Sequence, residues 1–168
     1  GAARDYRLER MLGMQVYHQP LDDQAKSDLD RYFAELTKGY TPAADEIEVK
    51  GRIVEIPQAA AGVGRTSFNN LCAEALGPAD YLEIAERYHT LILDDIPRMG
   101  EALKSEARRF ITLIDALYEN KVNFICSADA PPKELYVLGE GAFEFERLVS
   151  RLMEMQSEAY LALPHGGT

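Results

Sequence analysis

Two short apolar runs limit what this chain can fold into more than any other feature. "HTLILDD" (89–95) and "VNFICSA" (122–128) are continuous rather than alternating in apolar character. A strand with one face in water alternates, whereas a strand covered on both faces does not, and such strands belong to parallel sheets. Between the runs, "EALKSEARRFITLIDALYENK" places Leu103, Ala107, Phe110, Ile114 and Leu117 on one helical stripe. Strand, amphipathic helix and strand in that order predict a right-handed βαβ unit.

The rest of the chain can be fitted around that unit. "PLDDQAKSDLDRYFAELTKG" (20–39) predicts a helix, with Ala25, Leu29, Phe33 and Leu36 on one stripe and Gly39 as its stop. "YTPAAD" predicts a loop, and "EIEVKGRIVEIP" a hairpin about Lys50-Gly51 that ends at Pro57. "RTSFNNLCAEALG" predicts a short strand passing into a short helix, and Ala79 to Arg87 a further helix. In the tail, Leu148, Leu152 and Met155 mark the inner side of another helix, and "PHGGT" is expected to fray. The expected fold class is α/β, a small mainly parallel sheet with flanking helices and an added β-hairpin. A length of 168 residues with 46% hydrophobic content suits one domain with an ordinary apolar core.

Charge narrows the function. Eighteen Lys and Arg against 28 Asp and Glu give a net charge of −10. That balance lacks the broad basic footprint expected of a nucleic-acid binder, and an anionic membrane surface would repel it. No apolar run approaches the roughly 20 residues that span a bilayer, so direct membrane insertion is not expected. Cys72 and Cys126 sit among apolar neighbours and read as buried, reduced thiols in a cytoplasmic protein. His18 and His89 have no Cys or carboxylate at metal-ligand spacing, and His165 lies near the end.

Two stretches point toward nucleotide chemistry. "AAAGVGRTS" (59–67) approaches the phosphate-cradling pattern G-x-x-x-x-G-K-S/T, with Gly62, Gly64, Arg65 and Thr66 as the candidate phosphate-binding residues. Ala59 stands in place of the leading glycine, and Arg65 in place of the lysine, whose compact ammonium meets phosphate differently from a planar guanidinium. A working loop also leaves a strand and opens a helix, so that the helix N-terminus faces the phosphates. Here a turn between β-type segments is the better expectation. Asp94 and Asp95 end the first apolar run, where an acid could order Mg²⁺ and its neighbour could position water. The alternative is that these carboxylates bond loop or helix-end groups.

Several segments carry a resemblance. "DYRLERM", "LCAEALGPADYLEIAERYHTLILDDIPRM", "EARRFITLIDALYENKV" and "AFEFERLVSRLMEMQSEAYL" resemble, in that order, the C-terminal part of the ZapE-type cell-division ATPases and their mitochondrial relatives. The resemblance covers about Asp5 to Leu161. It implies that the P-loop, the Mg²⁺-binding strand and the sensor strand belong to an ATPase core preceding "DYR", so this chain would be a piece without that core. It further implies ATP and Mg²⁺ for the parent protein and no cofactor for this chain. A link to division or to membrane-protein quality control follows in the same way.

The family's core contains a stretch of the type LCFDEF, a helix, and VATSNxPPxxLY. Here "LILDDI", a helix and "ICSADAPPKELY" follow in the same order, with Asp94-Asp95 against the core's Asp-Glu and Asp129 against its asparagine. We therefore expect a degenerate P-loop-like half-fold, with the strands at Leu91 and Phe124 parallel. Residues 1–19 are expected as a linker from the missing core, 20–161 as a C-terminal accessory domain, and 162–168 as a tail. The expected role is non-catalytic: packing on the ATPase core, homo-oligomer contacts, or binding a client such as a division-machinery protein. Arg7, Arg108, Arg109, Arg147 and Arg151 are the candidate interface residues. The alternatives are a nucleotide-binding domain in its own right and a pure oligomerisation module.

Overall fold

The computed structural model describes residues 11, 13–137 and 142–166. Its sheet has six strands: β1 (Tyr17–His18), β2 (Ala43–Val49), β3 (Arg52–Ala60), β4 (Val63–Ser67), β5 (Thr90–Ile96) and β6 (Asn123–Ala128), in the spatial order β1-β6-β5-β4-β3-β2. β1, β6, β5 and β4 run parallel to one another, while β2–β3 and β3–β4 pair antiparallel. The two apolar runs are adjacent parallel strands, with Leu91 opposite Phe124 and Ile92 opposite Ile125. Among the described residues five α-helices accompany them: α1 (Asp23–Leu36), α2 (Pro78–Arg87), α3 (Lys104–Glu119), α4 (Ala142–Glu154) and α5 (Glu158–Leu161).

The lack of alternation in β5 and β6 now has its cause. On one face Ile92, Ile125 and Val63 pack against Leu29, Tyr32 and Phe33 of α1. On the other, Leu91, Leu93, Phe124 and Cys126 join Tyr81 and Ile84 of α2 and Phe110, Ile114 and Leu117 of α3. From Leu91 to Leu93 and from Phe124 to Cys126 each side chain finds an apolar cover, so these successive residues are all apolar. Asp22 caps α1, its Oδ1 accepting the Ala25 N–H at 2.8 Å.

Several expectations are corrected. The strand β2 begins at Ala43, inside the stretch expected as a loop. β3 continues through Pro57 to Ala60, with a register irregularity between Ala43 and Asp45 where its pairing with β2 resumes; an irregular edge pairing is where a residue lacking an N–H is tolerated. The short helix expected after β4 is present at residues 69–73, as a single π-helical turn. Tyr17–His18, within the stretch expected as a linker, is a strand paired to β6, and the Tyr17 hydroxyl donates to the Ala130 carbonyl at 2.6 Å. The end expected to fray is tied down through His165 Nε2, 2.7 Å from the Ala85 carbonyl, and through the Gly166 N–H, which donates to the Asn120 carbonyl at 2.8 Å.

The turn that joins β3 to β4 sits at Ala61–Gly62, both at positive φ (53° and 78°). Gly62 also abuts His89: a Cβ there would lie 2.6 Å from the ring Cδ2. The glycine is thus required by backbone conformation and by a close approach. Gly62→Ala is expected to cost about 1–3 kcal/mol, the penalty of a strained left-handed residue, read as a lower urea midpoint.

Candidate functional site

In open α/β sheets ligands settle beyond the carboxyl ends of the parallel strands. Here that edge carries Thr66 and Ser67 of β4, Asp94 and Asp95 of β5, Ser127 of β6 and His18 of β1. Gly64, Arg65 and Thr66 are not in a loop: they lie within β4, opposite Leu91, Ile92 and Leu93 of β5. Gly62 is the turn residue before them. Three of the four candidate phosphate-binding residues therefore run along a strand, and the chain then enters the single π-helical turn.

Arg65 dominates this edge. It is 8% exposed, and both Asp94 oxygens accept from it, from Nε at 2.9 Å and from Nη2 at 2.8 Å. Its Nη1 donates to Asp30 of α1 at 2.6 Å. Burial alone would lower the pKa of the guanidinium, but hydrogen bonds and charge from Asp94 and Asp30 hold it above its ordinary value. The bidentate fork satisfies the carboxylate that the sequence offered as a magnesium ligand. Asp95 follows at φ 65° in an irregular stretch of β5, with its N–H donating to Ser127 Oγ at 2.9 Å and its carboxylate exposed. The two acids have parted: Asp94 turns inward to a cation, Asp95 outward to water. Asp129 lies 3.9 Å from Arg98, half exposed. Among the described residues no three His, Cys, Asp or Glu side chains form a metal-binding group.

The neighbouring residues are occupied as well. Thr66 is buried, and its Oγ1 accepts from Asn70 Nδ2 at 3.3 Å. His18 is buried at the end of β1, its Nε2 2.6 Å from the Gln15 carbonyl and its Nδ1 3.5 Å from Asp28 of α1. Sequence reasoning missed both Asp30 and Asp28. Each stands in a helix otherwise rich in acids, where nothing singles out the carboxylate that turns toward the sheet.

The candidate interface arginines divide. Arg7 lies outside the described residues. Arg109 donates to the Cys72 carbonyl at 3.0 Å and so ties α3 to the π-helical turn. Arg147 and Arg151 of α4 both donate to Asp115 of α3, and the Arg151 guanidinium lies 4.7 Å from the centre of the Tyr118 ring. These are internal ties, and Asp115 is taken by α4 rather than by Arg108 or Arg109 of its own helix. Arg108 remains exposed, at the rim of a groove of about 490 Å³ floored by Ile111, Tyr136 and Phe145.

Neither cysteine is poised as a nucleophile. Burial pushes the Cys72 thiol up to about 12, and burial, followed by the Asp94 charge, raises that of Cys126. Both thiols are therefore expected to resist iodoacetamide until the protein unfolds. The sign of the linkage follows: the unfolded thiol ionises near 9 and the folded one does not, so stability is full below that pH. It is expected to fall as pH rises from about 9 toward about 12, with buried Tyr17, Tyr81 and Tyr88 acting in the same sense. Urea midpoints measured across that range check this.

The Arg65 network makes its own prediction. Removing a cation that leaves a largely buried carboxylate behind is strongly destabilising. Arg65→Ala is expected to cost about 2–3 kcal/mol, somewhat below the fully buried range because Asp94 keeps some exposure. Asp30, 58% exposed at the other arm, should contribute under about 1 kcal/mol. Denaturant titration of the two single variants distinguishes these.

Comparison with known proteins bears on the family alone. The sequence pattern of the AFG1-like ATPases matches residues 1–164. The cell division protein ZapE of Escherichia coli is 37% identical over 168 residues, covering 98% of this chain and 44% of ZapE. Lactation elevated protein 1 homolog B of Danio rerio is 30% identical over 191 residues, covering 93% of this chain and 38% of that protein. The chain thus spans less than half the length of these relatives. No solved structure matches it. A match that runs almost from end to end settles membership: the chain belongs to the AFG1-like ATPase family.

Proposed function

We propose that this chain is a non-catalytic accessory domain of an AFG1-like ATPase, corresponding to the C-terminal part of the longer relatives. In this reading the parent protein hydrolyses ATP with Mg²⁺ through residues elsewhere in it. This domain packs on that core and offers surface to oligomer or client contacts in the cytoplasm. The name of the ZapE relative suggests cell division as the setting.

The observation that carries the reading is the bidentate Arg65–Asp94 pair. At a working hydrolase edge, the acid that ends the central strand is left for the metal, and the cation near it for phosphate. Here each satisfies the other. Gly64 to Thr66 are committed to strand pairing, and Asn70 occupies the Thr66 hydroxyl. The parallel, adjacent β5 and β6 with Leu91 opposite Phe124 support descent from a half-fold of the ATPase core, one that has kept the frame and converted its charged edge into an internal tie.

Phosphate release from Mg·ATP tests the reading. The purified chain, and the chain carrying Arg65→Ala, are expected to release phosphate at the rate of the enzyme-free blank. Turnover that rises in proportion to protein and is lost in Asp94→Ala would contradict it.

A further inference from the structure

The hairpin β2–β3 closes one side of the sheet, and β2 is its terminal strand. The turn is Lys50–Gly51, both at positive φ (49° and 79°), with Val49 opposite Arg52. In such a two-residue hairpin the closing pair exchanges hydrogen bonds, and the pairs then alternate along the ribbon. Ile47 and Val54 are therefore a bonded pair, while Glu48–Ile53 and Glu46–Glu55 are not. The N–H and C=O groups of Glu46 and Glu48 consequently point away from β3, into the free edge. Among the described residues no backbone group outside the sheet bonds to them.

The side chains on this ribbon are divided just as sharply. Ile47, Val49, Val54 and Ile56 are buried in the core. Glu46, Glu48, Ile53 and Glu55 face solvent, Ile53 at 60% exposure. Glu46 and Glu55 are direct cross-strand partners, at the closer of the two antiparallel spacings, where like charges oppose pairing. None of the three glutamates is in an ion pair among the described residues. Of the basic residues at the turn, Arg52 is turned away, donating to Asp80 and to the Ala75 carbonyl, and Lys50 is exposed at the tip.

We propose that the β2 edge is a docking site for an extended, lysine- or arginine-rich segment of a partner protein, which adds as a seventh strand. The row of outward backbone groups supplies the hydrogen bonds of strand addition. The three glutamates on one face of the ribbon select alternate basic side chains, and Ile53 gives them an apolar stem to lie along. A second copy of this chain is the wrong occupant, because antiparallel pairing of two β2 edges would set glutamates of both copies against each other. The inference goes beyond the accessory reading and would stand even if the chain bound nucleotide.

The probe is a capped ten-residue peptide of alternating lysine and valine, titrated into this chain and followed by amide hydrogen exchange. Binding with slowed exchange at the Glu46 and Glu48 amides is expected. Affinity should fall at least tenfold in Glu46→Lys/Glu48→Lys, whose fold is checked by far-UV circular dichroism, and at 0.5 M salt. A peptide of equal charge with proline at alternate positions should not bind, since it cannot donate along the edge. Absence of binding overturns the proposal, as does equal affinity for the reversed-charge variant or binding that leaves those two amides unprotected. Concentration-dependent self-association that protects the same amides without peptide also overturns it, by giving the edge to a second copy.

Discussion

A guanidinium taken out of water has to be paired, and that requirement organises the carboxyl edge of this sheet. Arg65 sits in β4 with little contact with solvent, so its charge recruits Asp94 from the neighbouring strand and Asp30 from the helix above. Three elements distant in sequence are thereby held in one arrangement. The same arrangement uses the two charges that nucleotide chemistry would need free. A buried pair of this kind is not a large net source of stability, because desolvation offsets most of the attraction, yet breaking it is costly. It behaves as a constraint on geometry.

How much of this was legible in the sequence differed by element. The continuous apolar character of 89–95 and 122–128 led directly to two parallel strands buried on both faces, and the stripe through Phe110 and Ile114 led to the helix between them. The pattern near Gly62 is ambiguous by residue type, because glycine serves a phosphate loop and a tight hairpin turn equally well, and the β-type segments on both sides led to the turn that the structure has. What the sequence does not show is the His89 ring, which packs against Gly62 from just before β5 and leaves no room for a Cβ. Pro57 misdirects, since a proline can lie within a strand where the pairing is irregular. β1 was invisible because two residues carry no period.

The charged side chains were legible as types but not as partners. Asp94 and Asp95 are adjacent in sequence and look alike, yet a local irregularity in β5 sends one inward and the other to solvent. Arg147 and Arg151 were expected at an interface, but they lie across from Asp115 once α3 and α4 pack together. Such pairings depend on which helices become neighbours, and no spacing within a single helix encodes that. Asp30 illustrates the limit: one acid among several on α1, it acquires its role only when the helix lies over β4.

Membership of an ATPase family and an edge closed by internal charge are compatible if catalysis resides elsewhere in the parent protein. The most direct measurement is a calorimetric titration of this chain with Mg·ATP, with the fold verified before and after. The account predicts no heat beyond dilution, because Asp94 and Arg65 already satisfy one another. Saturable binding in the micromolar range, abolished by Arg65→Ala in a variant that remains folded, would show that the pair opens for nucleotide and would contradict it.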